Sequence, residues 1–225
     1  MVIDHELIVS WLATICTIGL FLTGVQICWK IASKKSTSEV SFIPFLAMFC
    51  NASLWFKYGL IKKDLVIIGV NSVGSALSFI YMLLYYFFTS SKLQIMKTVF
   101  LVIIVLFPLL TYIQYYTSDK DTAIFHLGLI CASSSVFAYG APLTELREVF
   151  RTKSTACLAF PLCLANFIVS SEWLVYGIIK KDSFVKVPNG VGFLLSSFQL
   201  FLFMLYPSTS KSASKPGPSS PVQTV

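Results

Sequence analysis

Residues 35–78 of this chain read KSTSEVSFIPFLAMFCNASLWFKYGLIKKDLVIIGVNSVGSALS, and residues 153–196 read KSTACLAFPLCLANFIVSSEWLVYGIIKKDSFVKVPNGVGFLLS. The two stretches lie 118 positions apart and share 20 of 44 residues without a gap. The shared residues include K-S-T, W-x-x-Y-G, K-K-D and an asparagine followed three residues later by glycine. Self-similarity at a fixed offset indicates an internal duplication. The fold is therefore predicted to contain two similar units.

The composition places both units in a membrane. Hydrophobic residues make up 56% of the chain, charged residues only 12%, and the mean hydropathy is +0.79. A soluble domain of this length cannot bury that much apolar surface. A bilayer core needs about 20 apolar helical residues to cross it. Seven runs of that kind occur: Leu7–Trp29, Phe42–Ile61, Leu65–Phe88, Thr98–Tyr116, Ala123–Leu143, Leu158–Ile179 and Phe184–Tyr206.

The repeat and the spans together predict an all-α membrane protein with seven transmembrane helices. Each unit contains three spans, and three spans reverse the direction of the chain. A direct fusion of two units would therefore leave them inverted. The span Thr98–Tyr116 matches neither unit and restores a parallel orientation as a linker helix, which gives a 3+1+3 arrangement. The predicted divisions are residues 1–92 and 122–206 for the repeats, 93–121 for the linker helix and 207–225 for a disordered tail.

Basic residues predict the orientation in the membrane. Ten of the seventeen lysines and arginines fall on the side that carries the C-terminus. Because cytosolic loops are enriched in Lys and Arg, the C-terminal tail is predicted to be cytosolic. Scattered basic residues at helix ends also account for the net charge of +7 without a nucleic-acid partner.

The chain resembles the SWEET sugar transporters. The resemblance lies in the duplicated W-x-x-Y-G and K-S-T motifs, in an intramembrane asparagine in each unit, and in a linker helix between the units. SWEET proteins are themselves an example of transporters built from parallel repeats. The resemblance implies a passive, bidirectional sugar uniporter that works by alternating access and needs no cofactor. It is compatible with homo-oligomers, and with either the plasma membrane or the Golgi membrane.

Four residues are predicted to bind the sugar. Asn71 and Asn189 are costly in lipid and can offer donor and acceptor groups to hydroxyls in an interior cavity. The alternative is a hydrogen bond between packed helices. Trp55 and Trp173 can stack on the apolar face of a pyranose, or else anchor the helices at the membrane interface. In the resemblance they correspond to pocket walls, and a tryptophan at both positions favours a monosaccharide. Tyr58 and Tyr176 remain as belt or gate residues.

Hinge positions are predicted at Gly24, Pro44, Pro142 and Pro161. The three prolines are expected inside helices, where each removes an N–H donor and weakens the preceding turn. The alternative is that they only kink packed helices. The SWEET pattern has two prolines per repeat, whereas Gly24 occupies the position that aligns with Pro142 here, so the two halves are not expected to bend identically.

Coupling to an energy source finds little support in the sequence. No phosphate-binding G-x-x-x-x-G-K-[ST] loop occurs. Glu172 lies inside the sixth span beside Trp173, where a carboxyl group can relay protons, stay neutral, pair with a loop lysine or border a wet cavity. No relay partner is visible in the sequence, which favours uniport.

The sequon at Asn51 falls inside the second span and is predicted to be unmodified.

Other functional classes fit less well. A PQ-loop exporter of amino acids or related solutes would carry a Pro-Gln dipeptide, which is absent. A seven-helix receptor does not explain the repeat and would carry D-R-Y or N-P-x-x-Y. An enzyme is disfavoured because the two histidines, His5 and His126, stand far apart in the sequence, and no nucleophile or metal-ligand cluster accompanies them.

Overall fold

The computed structural model describes residues 5–115, 117 and 119–208. Its helices are α1 (His5–Lys34), α2 (Ile43–Lys62), α3 (Leu65–Phe88), α4 (Lys92–Tyr115), α5 (Lys120–Ala138), α6 (Gly140–Thr152), α7 (Phe160–Ile179) and α8 (Ser183–Leu205). The chain is thus all-helical over the described residues, as predicted. The predicted disordered tail lies outside them from residue 209 onward.

The repeated motifs mark helix boundaries. Asp64 and Asp182 are the N-caps of α3 and α8, and each carboxylate accepts hydrogen bonds from two backbone N–H groups of the first turn. The lysines that end the preceding helices adopt the left-handed conformation, with φ of 60° at Lys63 and 53° at Lys181. Lys35 and Lys153 do the same at the two K-S-T motifs. Each K-K-D motif therefore ends one helix and begins the next.

The predicted span Ala123–Leu143 is not one straight helix. It is divided at Tyr139 into α5 and α6, and α6 continues to Thr152. Pro142 explains the break, because a proline ring clashes with the carbonyl group four residues earlier. That residue is Ala138, the last residue of α5. Together α5 and α6 form one bent element that is long and apolar enough to cross a membrane.

None of the three predicted hinge prolines lies in the interior of its helix, so the prediction that each weakens a preceding turn of that helix was wrong. Pro44 and Pro161 lie in the first turn of α2 and α7, where the missing N–H has no intrahelical partner to lose. Pro142 likewise lies in the first turn of α6. The helix-interior prolines of the described chain are Pro108 in α4 and Pro188 in α8, and neither was singled out from the sequence.

Within the part of the chain that the structure describes, six helical elements, with α5 and α6 counted as one, are long and apolar enough to cross a membrane. α2 falls below that threshold because polar residues such as Asn51 and Lys57 lower its hydropathy. α3 packs against both α1 and α2, and these three helices are called the first bundle. α8 packs against both α5 and α7, and with α6 these helices form the second bundle. The bundles meet where α1 contacts α7 and α2 contacts α5.

The loop between α1 and α2 is tied to α1 by charge. The carboxylate of Glu39 contacts Lys30 at 2.8 Å and Lys34 at 2.6 Å. Hydrogen bonds from these two ammonium groups lower the pKa of Glu39 to about 2. The loop therefore keeps this ion pair at any physiological pH.

Candidate functional site

A cavity of about 210 Å³ lies between the two bundles. It is called the central cavity. Its lining combines amide, hydroxyl and indole groups with apolar side chains from both bundles. The lining residues are Thr17, Phe21, Asn51, Trp55, Ile67, Val70, Asn71, Ser135, Tyr139, Trp173, Val185 and Asn189. The structure therefore brings together all four residues that the sequence singled out for binding, although they come from four different helices.

The two asparagines face this cavity in equivalent ways. Asn71 donates a hydrogen bond from Nδ2 to the carbonyl of Ile67 at 2.9 Å, and Asn189 donates to that of Val185 at 2.8 Å. Each bond stays within its own helix, so the predicted alternative of an interhelical bond is not seen among the described residues. One N–H and the Oδ1 acceptor of each amide have no described protein partner. Both remain available to a ligand in the cavity.

The tryptophans reach across to the opposite bundle. Trp55 Nε1 donates to Ser135 Oγ at 3.0 Å, and Trp173 Nε1 donates to Thr17 Oγ1 at 2.8 Å. Thr17 and Ser135 are themselves 118 positions apart, so the duplication extends into α1 and α5. These bonds fix the indole rings as cavity walls. Neither ring is an interfacial anchor, because both lie in the interior and line the cavity.

Four polar lining residues, Thr17, Asn51, Ser135 and Tyr139, were not predicted as part of the site. Thr17 and Ser135 fall outside the strongest part of the repeat, and only extending the same offset into α1 and α5 would have found them. Asn51 donates from Nδ2 to Ser134 Oγ at 2.8 Å and to Ser135 Oγ at 3.2 Å. It thereby ties α2 of the first bundle to α5 of the second bundle.

The end of the molecule that carries Asp64 and Asp182, called the aspartate end, is closed by bonds between the bundles. Tyr58 donates to Asp182 at 2.8 Å, and Tyr176 donates to Asp64 at 2.8 Å. Lys62 forms a salt bridge with Asp182 as well. Both tyrosines are 0% exposed, which contradicts the belt alternative because belt residues face the membrane interface. Each aspartate thus serves as a helix cap and as a cross-bundle acceptor.

The opposite end, which carries the two K-S-T motifs and is called the KST end, is built differently. At the aspartate end one apolar cluster joins residues of both bundles, among them Tyr58, Tyr176 and Val185. At the KST end two separate clusters form instead. One contains Phe45 and Tyr85 of the first bundle, and the other lies within the second bundle. The bundles are therefore joined at one end of the cavity and packed separately at the other.

Glu172 sits behind the cavity wall and outside the cavity lining. Its Oε1 accepts a hydrogen bond from the Cys16 thiol at 3.3 Å, and its buried Oε2 has no hydrogen-bond partner among the described residues. No described loop lysine forms a salt bridge with it, so the alternative of a lysine partner is not seen, and the group that contacts Glu172 is a thiol on α1. A thiol is a weak donor and carries no positive charge.

The comparisons with known proteins match this arrangement. The sequence model of the family described as "Sugar efflux transporter for intercellular exchange" matches residues 7–94 and again 125–211. This chain belongs to the SWEET family. SWEETs are transporters and not enzymes, so the enzyme, receptor and PQ-loop alternatives are displaced. The two matched segments contain the similar stretches 35–78 and 153–196, one in each.

Named SWEET relatives cover nearly the whole chain. "Sugar transporter SWEET1" of Drosophila pseudoobscura pseudoobscura is 39% identical over 93% of each chain. The protein of the same name from Homo sapiens is 32% identical over 85% of this chain and 86% of its own length. A solved eukaryotic SWEET transporter superposes with a TM-score of 0.80 at 25% identity, covering 88% of this chain and 95% of the other. The protein is therefore an integral, multi-pass membrane protein of the SWEET fold.

Proposed function

We propose that this chain carries a monosaccharide across a membrane passively, in both directions, by alternating access. The observation that carries the proposal is a central cavity lined by matched Asn and Trp pairs and closed at the aspartate end by the Tyr58–Asp182 and Tyr176–Asp64 bonds. Its SWEET1 relatives are named as sugar transporters. Sugar transport is the function that fits both the relatives and the chemistry of the cavity.

The cavity chemistry suits a small polyol. Asn71 and Asn189 each retain a donor and an acceptor for hydroxyl groups, and Trp55 and Trp173 offer flat faces for the C–H side of a pyranose. The cavity volume of about 210 Å³ is below the roughly 300–1,000 Å³ of pockets that take drug-sized ligands. A single hexose is therefore a better fit than a disaccharide, with glucose as the first candidate.

Alternating access follows from the unequal ends. In the present state the bundles are joined at the aspartate end, so the sugar would enter and leave at the KST end. The alternate state would break the Tyr58–Asp182 and Tyr176–Asp64 bonds and bring the bundles together at the KST end. We place the hinges at Gly24, Pro44, Pro142 and Pro161, and the prolines at helix starts allow a helix to tilt without losing intrahelical bonds.

The moving units would be the repeats. We propose the 3+1+3 arrangement, with residues 1–92 and 122–206 as the two three-helix repeats, 93–121 as the linker helix and 207–225 as the tail. α4 is suited to the linker role because it packs on α5 and also, through Ile95, Val99 and Val102, on the apolar cluster of the first bundle. It can therefore connect the two units without belonging to either repeat.

Uniport without ion coupling is the simplest mechanism for these residues. Glu172 is the one acidic residue of α7, and it contacts a thiol rather than the cavity.

We further propose that the tail is cytosolic, that the protein works in the plasma membrane and the Golgi membrane, and that it forms homo-oligomers. The ten basic residues on the C-terminal side support the orientation.

Flux into proteoliposomes tests the proposal. Purified protein should show saturable uptake of radiolabelled glucose without any ion gradient. Asn189→Ala should raise the half-saturating concentration about 5- to 150-fold, since lost bonds to a polar ligand cost about 1–3 kcal/mol. Gln26→Ala is the matched control, because Gln26 is an exposed amide on α1 outside the cavity lining. Absence of saturable flux for every hexose and for sucrose would overturn the proposal.

A further inference from the structure

A second cavity of about 270 Å³ lies within the second bundle. It shares Tyr139 and Asn189 with the central cavity and extends from them toward Pro142 and Gln199. Pro142 lies in the first turn of α6, which runs to the KST end, so this cavity lies beside the central one on the side where the bundles are separate. A solute that moved between the central cavity and the KST end would pass it.

The first bundle fills the corresponding space with a side chain. Tyr81, which is 3% exposed, packs its ring against Gly24 so closely that a Cβ there would overlap it, and its hydroxyl donates to the carbonyl of Phe21 at 3.1 Å. The residues 118 positions later are Gln199 and Pro142. Gln199 is shorter than tyrosine and turns toward α6, where its Nε2 donates to Glu145 Oε2 at 3.3 Å. The cavity occupies the space that remains.

The lining of this cavity is polar at two positions where the first bundle is apolar, with Asn166 in place of Met48 and Ser170 in place of Ala52. At a third position the amide of Gln199 replaces the ring of Tyr81, and at a fourth the exchange is reversed, with Val169 in place of Asn51. Packing alone does not require amides there, because the first bundle packs the same positions with methionine and tyrosine. The polar residues therefore indicate that the cavity binds a polar ligand.

Two amides in the lining have unused hydrogen-bonding groups. Gln199 is only 3% exposed, yet its Oε1 accepts no bond from a described residue. The side chain of Asn166 forms no hydrogen bond with any described residue. Amides left without partners inside a membrane protein are costly. A solute rich in hydroxyl groups would satisfy them through bonds that both donate and accept.

We propose that this second cavity is a second sugar-binding site, separated from the central one by the side chain of Tyr139. The tyrosine lies at the break between α5 and α6, and its hydroxyl donates to the carbonyl of Pro188 at 3.1 Å. The same hydroxyl lies so close to Gly192 that a Cβ at that position would overlap it. Asn189 borders both cavities and can hand a sugar from one to the other. The inference rests on the proposed function, since it takes sugar as the solute.

Counting bound sugar tests the second site. Equilibrium dialysis of the full chain in nanodiscs against saturating ¹⁴C-glucose should give two molecules per chain. The double variant Pro142→Gly/Gln199→Tyr copies Gly24 and Tyr81 of the first bundle, fills the cavity, and should bind one. Asn71→Ala removes an amide that lines only the central cavity, and should also bind one. Asn166→Met, which copies Met48, is the milder second variant and should likewise bind one.

The outcomes separate this inference from the proposed function. One glucose per native chain, lost in Asn71→Ala, would overturn the second site. So would two glucose molecules retained by both cavity-filling variants after size-exclusion chromatography shows them folded. If glucose flux persists in the native chain under either result, the proposed function stands and only the second site fails. Absence of both flux and binding would overturn both.

Discussion

Replacing Tyr58 with phenylalanine removes one hydroxyl group from the aspartate end. That hydroxyl donates to the Asp182 carboxylate at 2.8 Å, on a side chain that is 0% exposed. A hydrogen bond to a charged group contributes about 1.5–3 kcal/mol. Asp182 keeps Lys62 and the N–H groups of Phe184 and Val185 as partners, so a value of about 2 kcal/mol is expected. This free energy is lost only from the state that is closed at the aspartate end, because the Tyr58–Asp182 bond is already broken in the alternate state.

Because about 1.4 kcal/mol is a factor of ten in an equilibrium constant, Tyr58→Phe should shift the balance between the two states about 30-fold toward opening at the aspartate end. Spin labels at Ser38→Cys and Ala156→Cys, which are exposed and equivalent by the repeat, measure the distance across the KST end in a background without the native cysteines. Electron–electron double resonance should show a shorter distance becoming populated in the variant.

Tyr85→Phe is the matched control. Its hydroxyl also belongs to a buried tyrosine, but it donates to the Val40 carbonyl at 2.9 Å within the first bundle. This variant should lose stability without changing the distance distribution. An unchanged distribution in Tyr58→Phe, or an equal change in Tyr85→Phe, would refute the assignment of Tyr58 to a gate.

Trp55→Ala and Trp173→Ala should each enlarge the central cavity, so that sucrose counterflow appears while half-saturation for glucose rises roughly 3- to 10-fold, the loss expected of one aromatic contact; unchanged selectivity would count against these walls. An imposed pH gradient should not drive uphill glucose accumulation, in the native chain or in Glu172→Gln, and accumulation only in the native chain would instead establish proton coupling. Lys63→Gly should raise stability by about 0.5–1 kcal/mol, because glycine relieves the positive φ at some cost in chain entropy. Thermal unfolding measures the stability of this variant beside that of Lys186→Gly. Lys186 lies inside α8, so its replacement by glycine should lower the stability by about 1 kcal/mol. A loss of stability in both variants would refute the strain at Lys63.

The prolines show where sequence reasoning about the fold reached its limit. The period and length of apolar runs predicted helices at all seven places, since a membrane span must satisfy its own backbone hydrogen bonds. Pro44 and Pro161 were expected to weaken the turn that precedes them inside a helix. The predicted spans begin at Phe42 and Leu158, within two residues of the observed starts at Ile43 and Phe160, but boundaries of this precision do not show whether a proline has a helical turn before it.

Partners across the bundle interface were also out of reach of the sequence. The duplication by itself identified Asn71, Asn189, Trp55 and Trp173 as equivalent pairs, because shared ancestry keeps equivalent residues at a constant offset. It could not say that each tryptophan bonds to the opposite bundle, or that Tyr58 reaches Asp182.

The sequence therefore determined the class of protein, the repeat and the polar pairs, since these depend on composition and spacing along the chain. The tertiary structure decided which end is closed, which residues line each cavity, and how the halves differ. Those properties depend on side chains more than 100 positions apart, such as Tyr58 and Asp182. They also depend on volume, as when Tyr81 fills in one bundle the space that Gln199 leaves open in the other. Aligning the chain with itself at the fixed offset identifies Tyr81 and Gln199 as equivalent positions. Only the packing in the structure shows that the tyrosine fills space and the glutamine leaves a cavity.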